Sequence, residues 1–275
     1  MHYRHAYHAG NFADVHKHVL LVGLARAMAR KDKPWAYLDT HAGAGRYDLG
    51  GAEAACTGEA AGGALRLQGL KDAPEPLASW QRTVAAANGG SDWRRYPGSP
   101  GFVQAFARPG DRLVLCETVP EVVEALRLAV PLATVHARDG YESASLLPPA
   151  EKRGLVLVDP PFERRDEFAA MLDFLTRAQG RFAGGVYAFW YPLKNTHEVE
   201  RFGRRLGVIS SRPVVDFRFD TGAKAEGQMR GSGLMVVNPP FRFVEEVTPA
   251  LEILARELGV GARAASEVIW LKTES

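Results

Sequence analysis

Cysteine is nearly absent: Cys56 and Cys116 are the only two in 275 residues. Two cannot build a disulfide framework, and Cys116 falls in an apolar stretch that reads as a buried strand. This usage fits a reducing compartment, so a cytoplasmic location is expected. Long apolar runs are missing too. Nothing approaches the ~18 consecutive apolar residues of a spanning helix, and the N-terminus is polar and His-rich, unlike a secretory signal, so no membrane association is expected. Neither sign of charge dominates: 34 Lys and Arg stand against 32 Asp and Glu, a net charge of +2. Such a balance neither demands nor excludes a nucleic-acid partner. With no internal repeat and no low-complexity tract, the chain has the length of one large α/β domain with room for an insertion.

Two further signatures are incomplete. Five of the eight histidines (His2, His5, His8, His16 and His18) crowd the first 18 residues. They have no cysteine beside them, and their H-x-x-H and H-x-H spacings match no compact zinc pattern, so no metal is expected. The dinucleotide fingerprint is also broken. Trp35 to Leu38 reads as a strand that runs into Asp39-Thr-His-Ala-Gly-Ala-Gly45, but Asp48 stands near the place of the third glycine. The loop fits the looser [DE]-x-x-x-G-x-G pattern of methyltransferases, with Gly43 and Gly45 letting a cofactor approach the backbone. The strand expected next, ending in an acid about 20 residues on, does not follow. Ala52 to Gly90 is instead Ala- and Gly-rich with helical stretches, and the strand comes late, as Arg112 to Glu117. A helical insertion at about 48–95 is inferred within a single domain spanning 1–275.

What is present centres on Gly154 to Phe162, G-L-V-L-V-D-P-P-F. Four apolar residues, Leu155 to Val158, read as a strand buried on both faces. Two prolines end it, because neither can donate to a sheet ladder. Asp159 is thereby placed at the carboxyl end of a central strand, where open α/β sheets bind ligands. The Asp159 carboxylate and the Pro160 carbonyl can both accept from an exocyclic amine, and Phe162 can stack on a base. D-P-P-[YFW] is the motif of amino-group methyltransferases. A bare D-P-P-F reads equally well as a strand closed by a proline turn.

The rest of the chain is read around this strand. Asp14 is expected to cap a helix running to about Lys31, with Leu20, Leu21, Leu24, Ala27 and Met28 on one stripe. Asp14, Lys17 and His18 share another face, either a solvated surface or a polar wall turned toward a site. Ser99 is expected as a helix N-cap with Pro100 at the first helical position. Glu117 ends the second strand, and Asp139-Gly140 ends the third. Strands are expected at Gly185 to Pro192, Val214 to Phe219, Leu234 to Pro240 and Val268 to Leu271, with helices at about 196–206 and 247–258. Asp220 to Gly233 is a polar, Gly-rich loop. Asn238-Pro-Pro-Phe241 repeats the motif but closes the seventh strand, away from the expected cleft, and is taken as structural.

Taken together, H-A-G-N-F-A-D-V-H-K-H, L-D-T-H-A-G-A-G-R-Y, Y-P-G-S-P, R-D-G, D-P-P-F and Y-A-F-W-Y-P resemble, in order and over nearly the whole chain, the bacterial RlmJ family. These enzymes methylate N6 of an adenine in 23S ribosomal RNA. The resemblance implies a Rossmann-like class I S-adenosylmethionine-dependent methyltransferase fold. It implies cofactor contacts from His18, His41, Ser99, Glu117, Asp139, Gly140 and Asp159, and catalysis by Asp159. It places Tyr3 and Lys17 near the RNA or the reacting groups. Phe162 departs from the tyrosine of a familiar family member; stacking survives that change, whereas a hydroxyl contact would not. A monomer is expected, with 23S ribosomal RNA as partner. The same acceptor geometry would serve a DNA adenine or a protein glutamine, and a non-catalytic RNA-binding protein is the reading from another class. The N-terminal segment around Tyr3, Arg4, His5, Tyr7 and His8 reads as a lid.

Overall fold

The computed structural model describes residues 5–90, 92–223 and 229–274. In chain order the elements are α1 (Phe12–Ala29), β1 (Ala36–Asp39), β2 (Arg46–Asp48), α2 (Ala52–Thr57), α3 (Leu77–Asn88), β3 (Arg95–Pro97), α4 (Ser99–Gln104), β4 (Arg112–Glu117), α5 (Pro120–Ala129) and β5 (Thr134–Ala137). They continue with β6 (Gly154–Val158), α6 (Glu167–Arg181), β7 (Val186–Leu193), α7 (Thr196–Ile209), β8 (Val214–Asp220), β9 (Gly231–Val237), α8 (Phe243–Leu258) and β10 (Ala265–Lys272). Short 3-10 turns lie at His5–Tyr7, Glu59–Gly62, Ala64–Leu67 and Gly140–Leu146.

The main sheet has eight strands in the order β10-β8-β9-β7-β6-β1-β4-β5. β4, β1, β6 and β7 pair in parallel, and β5 adds in parallel at the far edge. β9 inserts antiparallel between β7 and β8, and β10 pairs antiparallel on the outer edge of β8. The first five strands of the wound core thus follow the doubly wound order 3-2-1-4-5, with a hairpin added after them. The chain leaves β1 toward β4 and returns to β6 on the other side of β1. The switch point therefore lies between β1 and β6, where Asp39 pairs in register with Leu157.

β6 is buried along its whole length. Leu155 and Leu157 face the core shared with α1, α3, α4, α5 and α8, while Val156 and Val158 face the core shared with α6 and α7. Covering both faces is what a parallel strand needs, and each of these side chains contributes roughly 1.5–3 kcal/mol by leaving water.

Several sequence expectations shift. Asn11, not Asp14, caps α1: its Oδ1 accepts from Asp14 N–H at 2.9 Å, and Asp14 Oδ2 accepts from Gly10 N–H at 3.0 Å. Asp14 is therefore the third helical residue, and its carboxylate accepts from the residue before the cap, while the Asn11 N–H goes to the His8 carbonyl. α1 ends at Ala29, and it is buried almost all round, including Asp14, His16, Lys17 and His18. Helices and the sheet pack on every side of it, so the expected single stripe is only part of its buried surface. Gly98 caps α4, and Ser99 is the first helical residue. α7 continues to Ile209, α8 starts at Phe243, and β9 begins at Gly231 inside the stretch read as a loop. Residues 224–228 of that stretch lie outside the described residues. Between β2 and β3, which pair with each other, lie α2, α3 and two of the 3-10 turns.

Asn238 follows the antiparallel strand β9, whose end pairs with the beginning of β7 through Val237 and Tyr187. It therefore sits at the opposite end of the sheet from Asp159. Its Nδ2 donates to the Gly184 and Gly185 carbonyls at 3.1 and 3.2 Å, and its φ is +57°. Asn238→Ala is expected to lose about 1–3 kcal/mol, from two unpaired carbonyls and a left-handed alanine. Urea unfolding checks it; an unchanged midpoint would contradict the structural role assigned to this motif.

Candidate active site

Prolines 160 and 161 stop β6 beneath the N-terminal half of α1. There Lys17 Nζ donates to Asp159 Oδ2 at 2.6 Å and to Asp14 Oδ1 at 2.9 Å. The Lys17 and Asp14 side chains are each 4% exposed and that of Asp159 is 13% exposed. The ammonium also lies 5.6 Å from the centre of the Trp190 ring, a cation–π contact. Burial opposes its charge, but the two carboxylates outweigh burial and hold Lys17 well above the ordinary lysine range. Lys17 is thus a fixed cation. It donates to one Asp159 oxygen, while Oδ1 makes no hydrogen bond to a described residue. Phe162, at φ +52°, packs edge-on against Phe168 and Trp190, with ring centres 5.2 and 5.8 Å away.

Asp39 ends the neighbouring strand β1 and does different work. Its Oδ2 accepts from the Tyr37 and Ser99 hydroxyls at 2.7 and 2.6 Å, and its Oδ1 from His41 N–H at 3.2 Å. It ties the start of the glycine loop to α4. Burial pushes its carboxyl up to about 6 against these donors.

The glycine loop turns through Gly43 (φ +60°) and Gly45 (φ +73°), and a Cβ on Gly43 would overlap the Tyr47 hydroxyl. Gly43 N–H donates to Glu117 Oε2 at 3.2 Å, while Oε1 takes Thr118 and Val119 N–H. Asp139 Oδ1 accepts from Tyr141 N–H at 2.8 Å. Gly140 passes so close to the Thr40 carbonyl that any Cβ would overlap it. His41 lies edge-on to Tyr141 at 5.2 Å, and burial lowers its pKa, leaving it neutral. The small residues Ala42 to Gly45 and two carboxylates at successive strand ends form a cradle suited to a nucleoside-bearing group.

The predicted residues thus fall into three sets. Asp159, Lys17, Pro160 and Phe162 meet at the end of β6. Gly43, Gly45, His41, Glu117, Asp139 and Gly140 line the ends of β1, β4 and β5. His18 and Ser99 lie behind these, buried, with His18 Nδ1 on the Tyr96 hydroxyl at 2.9 Å and Ser99 on Asp39. Tyr3 lies outside the described residues. Sequence reasoning named Asp14 only as part of a polar face that could turn toward a site and Asp39 only as the leading acid of the glycine motif, and it gave Trp190 no place beside them. The i, i+3 spacing of Asp14 and Lys17 was a usable signal, as was the leading acid of the glycine motif, whereas nothing in the sequence marks Trp190. Among the described residues, no group of three or more His, Cys, Asp or Glu could hold a metal ion, and no helix is long and apolar enough to cross a membrane. A cavity of 110 Å³ opens at the other end of β1 and β6, lined by Ala36, Arg112 and Gly154 among others, away from this chemistry.

The family model described as "Ribosomal RNA large subunit methyltransferase D, RlmJ" matches residues 32–272. The chain belongs to the RlmJ family, a family of ribosomal RNA methyltransferases. It is 34% identical over 277 residues to ribosomal RNA large subunit methyltransferase J of Escherichia coli K12, with 99% of each chain covered. The Haemophilus influenzae protein of the same name is 34% identical over 280 residues, again with 99% of each covered. A crystal structure of a Legionella pneumophila protein matches with a TM-score of 0.89 at 34% identity, covering 96% of this chain and 98% of that one. The RlmJ resemblance and the α/β fold of the sequence reading are thereby borne out.

Asp39 gives a pH-dependent prediction. Its folded value of about 6 lies above the ordinary 3.8. The folded chain therefore binds the proton more tightly, and ionisation of Asp39 opposes folding as pH rises from about 4 to 6. Asp39→Asn should gain on the wild type across that window, by up to about 3 kcal/mol. Urea unfolding of both proteins at pH 4 and pH 7 checks this. A difference independent of pH, or one that shrinks as pH rises, contradicts it.

Proposed function

We propose that this chain transfers a methyl group from S-adenosylmethionine to N6 of an adenine in 23S ribosomal RNA. The observation that carries the reading is Asp159: one oxygen is anchored by Lys17, while the other carries no hydrogen bond from a described residue, beside the Phe162 ring and at the sheet's switch point. A fixed carboxylate with a free oxygen suits an amine that must be held, with little call for a strong base.

The cradle residues fit the cofactor. Glu117 has room for a further donor such as a ribose hydroxyl, and Asp139 Oδ2 can accept from an adenine amino group. The backbone at Gly43 and Gly45 leaves space for close approach. Gly140 fixes the third strand end, and His41 walls the cradle. His18 and Ser99 act from behind it, through Tyr96 and Asp39. S-adenosylmethionine, when bound, supplies a methyl group on a positively charged sulfur: the adenine N6 lone pair takes the methyl, the S–C electron pair returns to sulfur, and N6 gives up one proton.

The chain's own groups do the rest. Asp159 Oδ1 and the Pro160 carbonyl accept from the two N6 hydrogens, which turns the lone pair out of the ring plane and aims it. Phe162 offers its face to the unstacked base, a contact worth ~1–3 kcal/mol, and so offsets part of the cost of extracting the base. The proton leaves late, toward Asp159. Tyr3 belongs to the RNA side in this reading. The N-terminal segment is a lid tied to the insertion: Thr57 Oγ1 donates to the Tyr7 carbonyl, and His8 pairs with Glu59 at 2.9 Å. Residues 1–275 form one domain with the 48–95 segment inserted, acting as a cytoplasmic monomer without metal.

Asp159→Asn should bind S-adenosylmethionine and unfold normally, yet lose on the order of 10²–10³ in methyl transfer. Asn238→Ala should retain the wild-type rate. Labelled methyl transfer to unmodified 23S ribosomal RNA, with mapping of the base, checks both, and EDTA should leave the rate unchanged. Preferential labelling of DNA or protein, or a dead Asn238→Ala beside an active Asp159→Asn, would overturn the assignment.

A further inference from the structure

α7 packs by one face and shows the other to water. Val199, Phe202, Gly203 and Leu206 are buried, and the Phe202 ring stacks on Phe168 with centres 4.7 Å apart. On the opposite face Arg201, Arg204 and Arg205 are exposed. Residues three and four apart are neighbours on a helix surface, so the three guanidinium groups form one ridge. Lys194, also exposed, lies just ahead of the helix, after the last residue of β7. The ridge begins beside the candidate active site. β7 runs parallel to β6, with Val158 level with Phe189, so Lys194 and the start of α7 reach the same end of the sheet as Asp159. α7 then carries its arginines away from that end, at about 5.4 Å per turn.

These arginines are set apart by their partners as well as their place. Other arginines at the surface are held by carboxylates: Arg112 by Glu151, Arg127 by Glu124, Arg177 by Asp173 and Arg256 by Glu257. Arg201, Arg204 and Arg205 make no ion pair with a described residue, although Glu198 and Glu200 stand three and four residues ahead of Arg201 and Arg204. An exposed pair of that kind is worth little in any case, whereas a guanidinium can give a phosphate two parallel hydrogen bonds. A net charge of +2 attracts a polyanion weakly, so positive charge must be gathered on one surface to hold one. The α7 ridge does that next to the cleft.

We propose that the outer face of α7, through Arg201, Arg204 and Arg205 with Lys194 at its head, is a docking track for the phosphodiester backbone of the RNA that flanks the methylated adenine. The inference rests on the ribosomal RNA reading of the site. Contacts to phosphate fix position and register and carry no sequence information directly, so the choice of base stays with the cleft.

The test is steady-state methylation of unmodified 23S ribosomal RNA over a series of salt concentrations. In the variant Arg201→Gln/Arg204→Gln/Arg205→Gln, KM for RNA should rise at least about tenfold at physiological salt, and its dependence on log salt should become shallower by about 2–3, near one per lost phosphate contact. Both kcat at saturating RNA and KM for S-adenosylmethionine should move less than about threefold, as for a group that binds substrate equally in ground and transition states. Lysine at all three positions keeps the charge and should restore the salt dependence. The control variant Arg112→Gln/Arg127→Gln/Arg256→Gln removes the same total charge from arginines already paired with carboxylates. Its KM for RNA should stay within about twofold of the wild type.

An unchanged KM for RNA and an unchanged salt slope in the α7 variant overturn the proposal, and so does an equal change in the control. A fall in kcat with KM for RNA unchanged also overturns it, as do lysine replacements that bind no better than the glutamines. If the triple variant does not fold, Arg205→Gln alone is measured, with a slope change of about one expected and none overturning the proposal. An active wild type beside an unaffected α7 variant refutes the track and leaves the reading of the site standing. A wild type inactive on this RNA overturns that reading, and this inference with it.

Discussion

A buried ammonium can be kept charged only if carboxylates come to it, and the layout of this protein follows from that demand. Isolated in the interior, Lys17 would face a desolvation cost of several kcal/mol. Asp14 meets it from the same helix face and Asp159 from the end of β6, with the Trp190 ring beneath. Bringing them together requires α1 to lie over the ends of the central strands, with its polar start facing down. It also requires β6 to stop at the residue where it does stop. The two prolines enforce that stop, and packing against α8, α3 and α4 holds the helix in place. The same packing explains why α1 is apolar on more than one side.

Two acids one strand apart illustrate how neighbours with the same chemistry are given separate work. Asp39 and Asp159 end adjacent parallel strands at the switch point. Asp39 is wrapped by three donors and buried, so it organises the glycine loop. Asp159 has a single anchoring donor and one oxygen without a described partner. Burial, with the Asp159 charge nearby, is why the Asp39 carboxyl titrates high. The two acids thus differ in the number of donors around them and in register, Asp159 lying two residues beyond the Leu157 that pairs with Asp39.

The two proline motifs make the corresponding point about direction. D-P-P-F and N-P-P-F both end strands buried on both faces, and locally they differ by one side-chain amide. β6 runs parallel to its neighbours, so its end opens at the switch point. β9 runs antiparallel, so its end lies at the other edge, where Asn238 binds the carbonyls of Gly184 and Gly185. Counting strands in the sequence set the seventh strand apart from the fourth, and the direction in which each runs decides which end of the sheet it reaches.

The order of strands, the glycine loop, the carboxylate at the end of β6 and the family were all legible in the sequence. Each is written locally, in apolar runs, in prolines that end a ladder, or in short motifs of fixed spacing. Helix boundaries were less legible: Asn11 and Asp14 are both good caps, as are Gly98 and Ser99, and only the φ angles and bonds of the folded chain choose between them. The Lys17 cluster was half visible, since i, i+3 spacing put Asp14 and Lys17 together but could not say whether that face met water or Asp159. Its second carboxylate, Asp159, is 142 residues away from Lys17, and Trp190 has no local mark at all. Contacts of that range depend on how the helix is laid across the sheet. The sequence by itself thus determined which groups were available and which strand end each would reach, and the tertiary packing decided which of them lost their water and therefore had to pair.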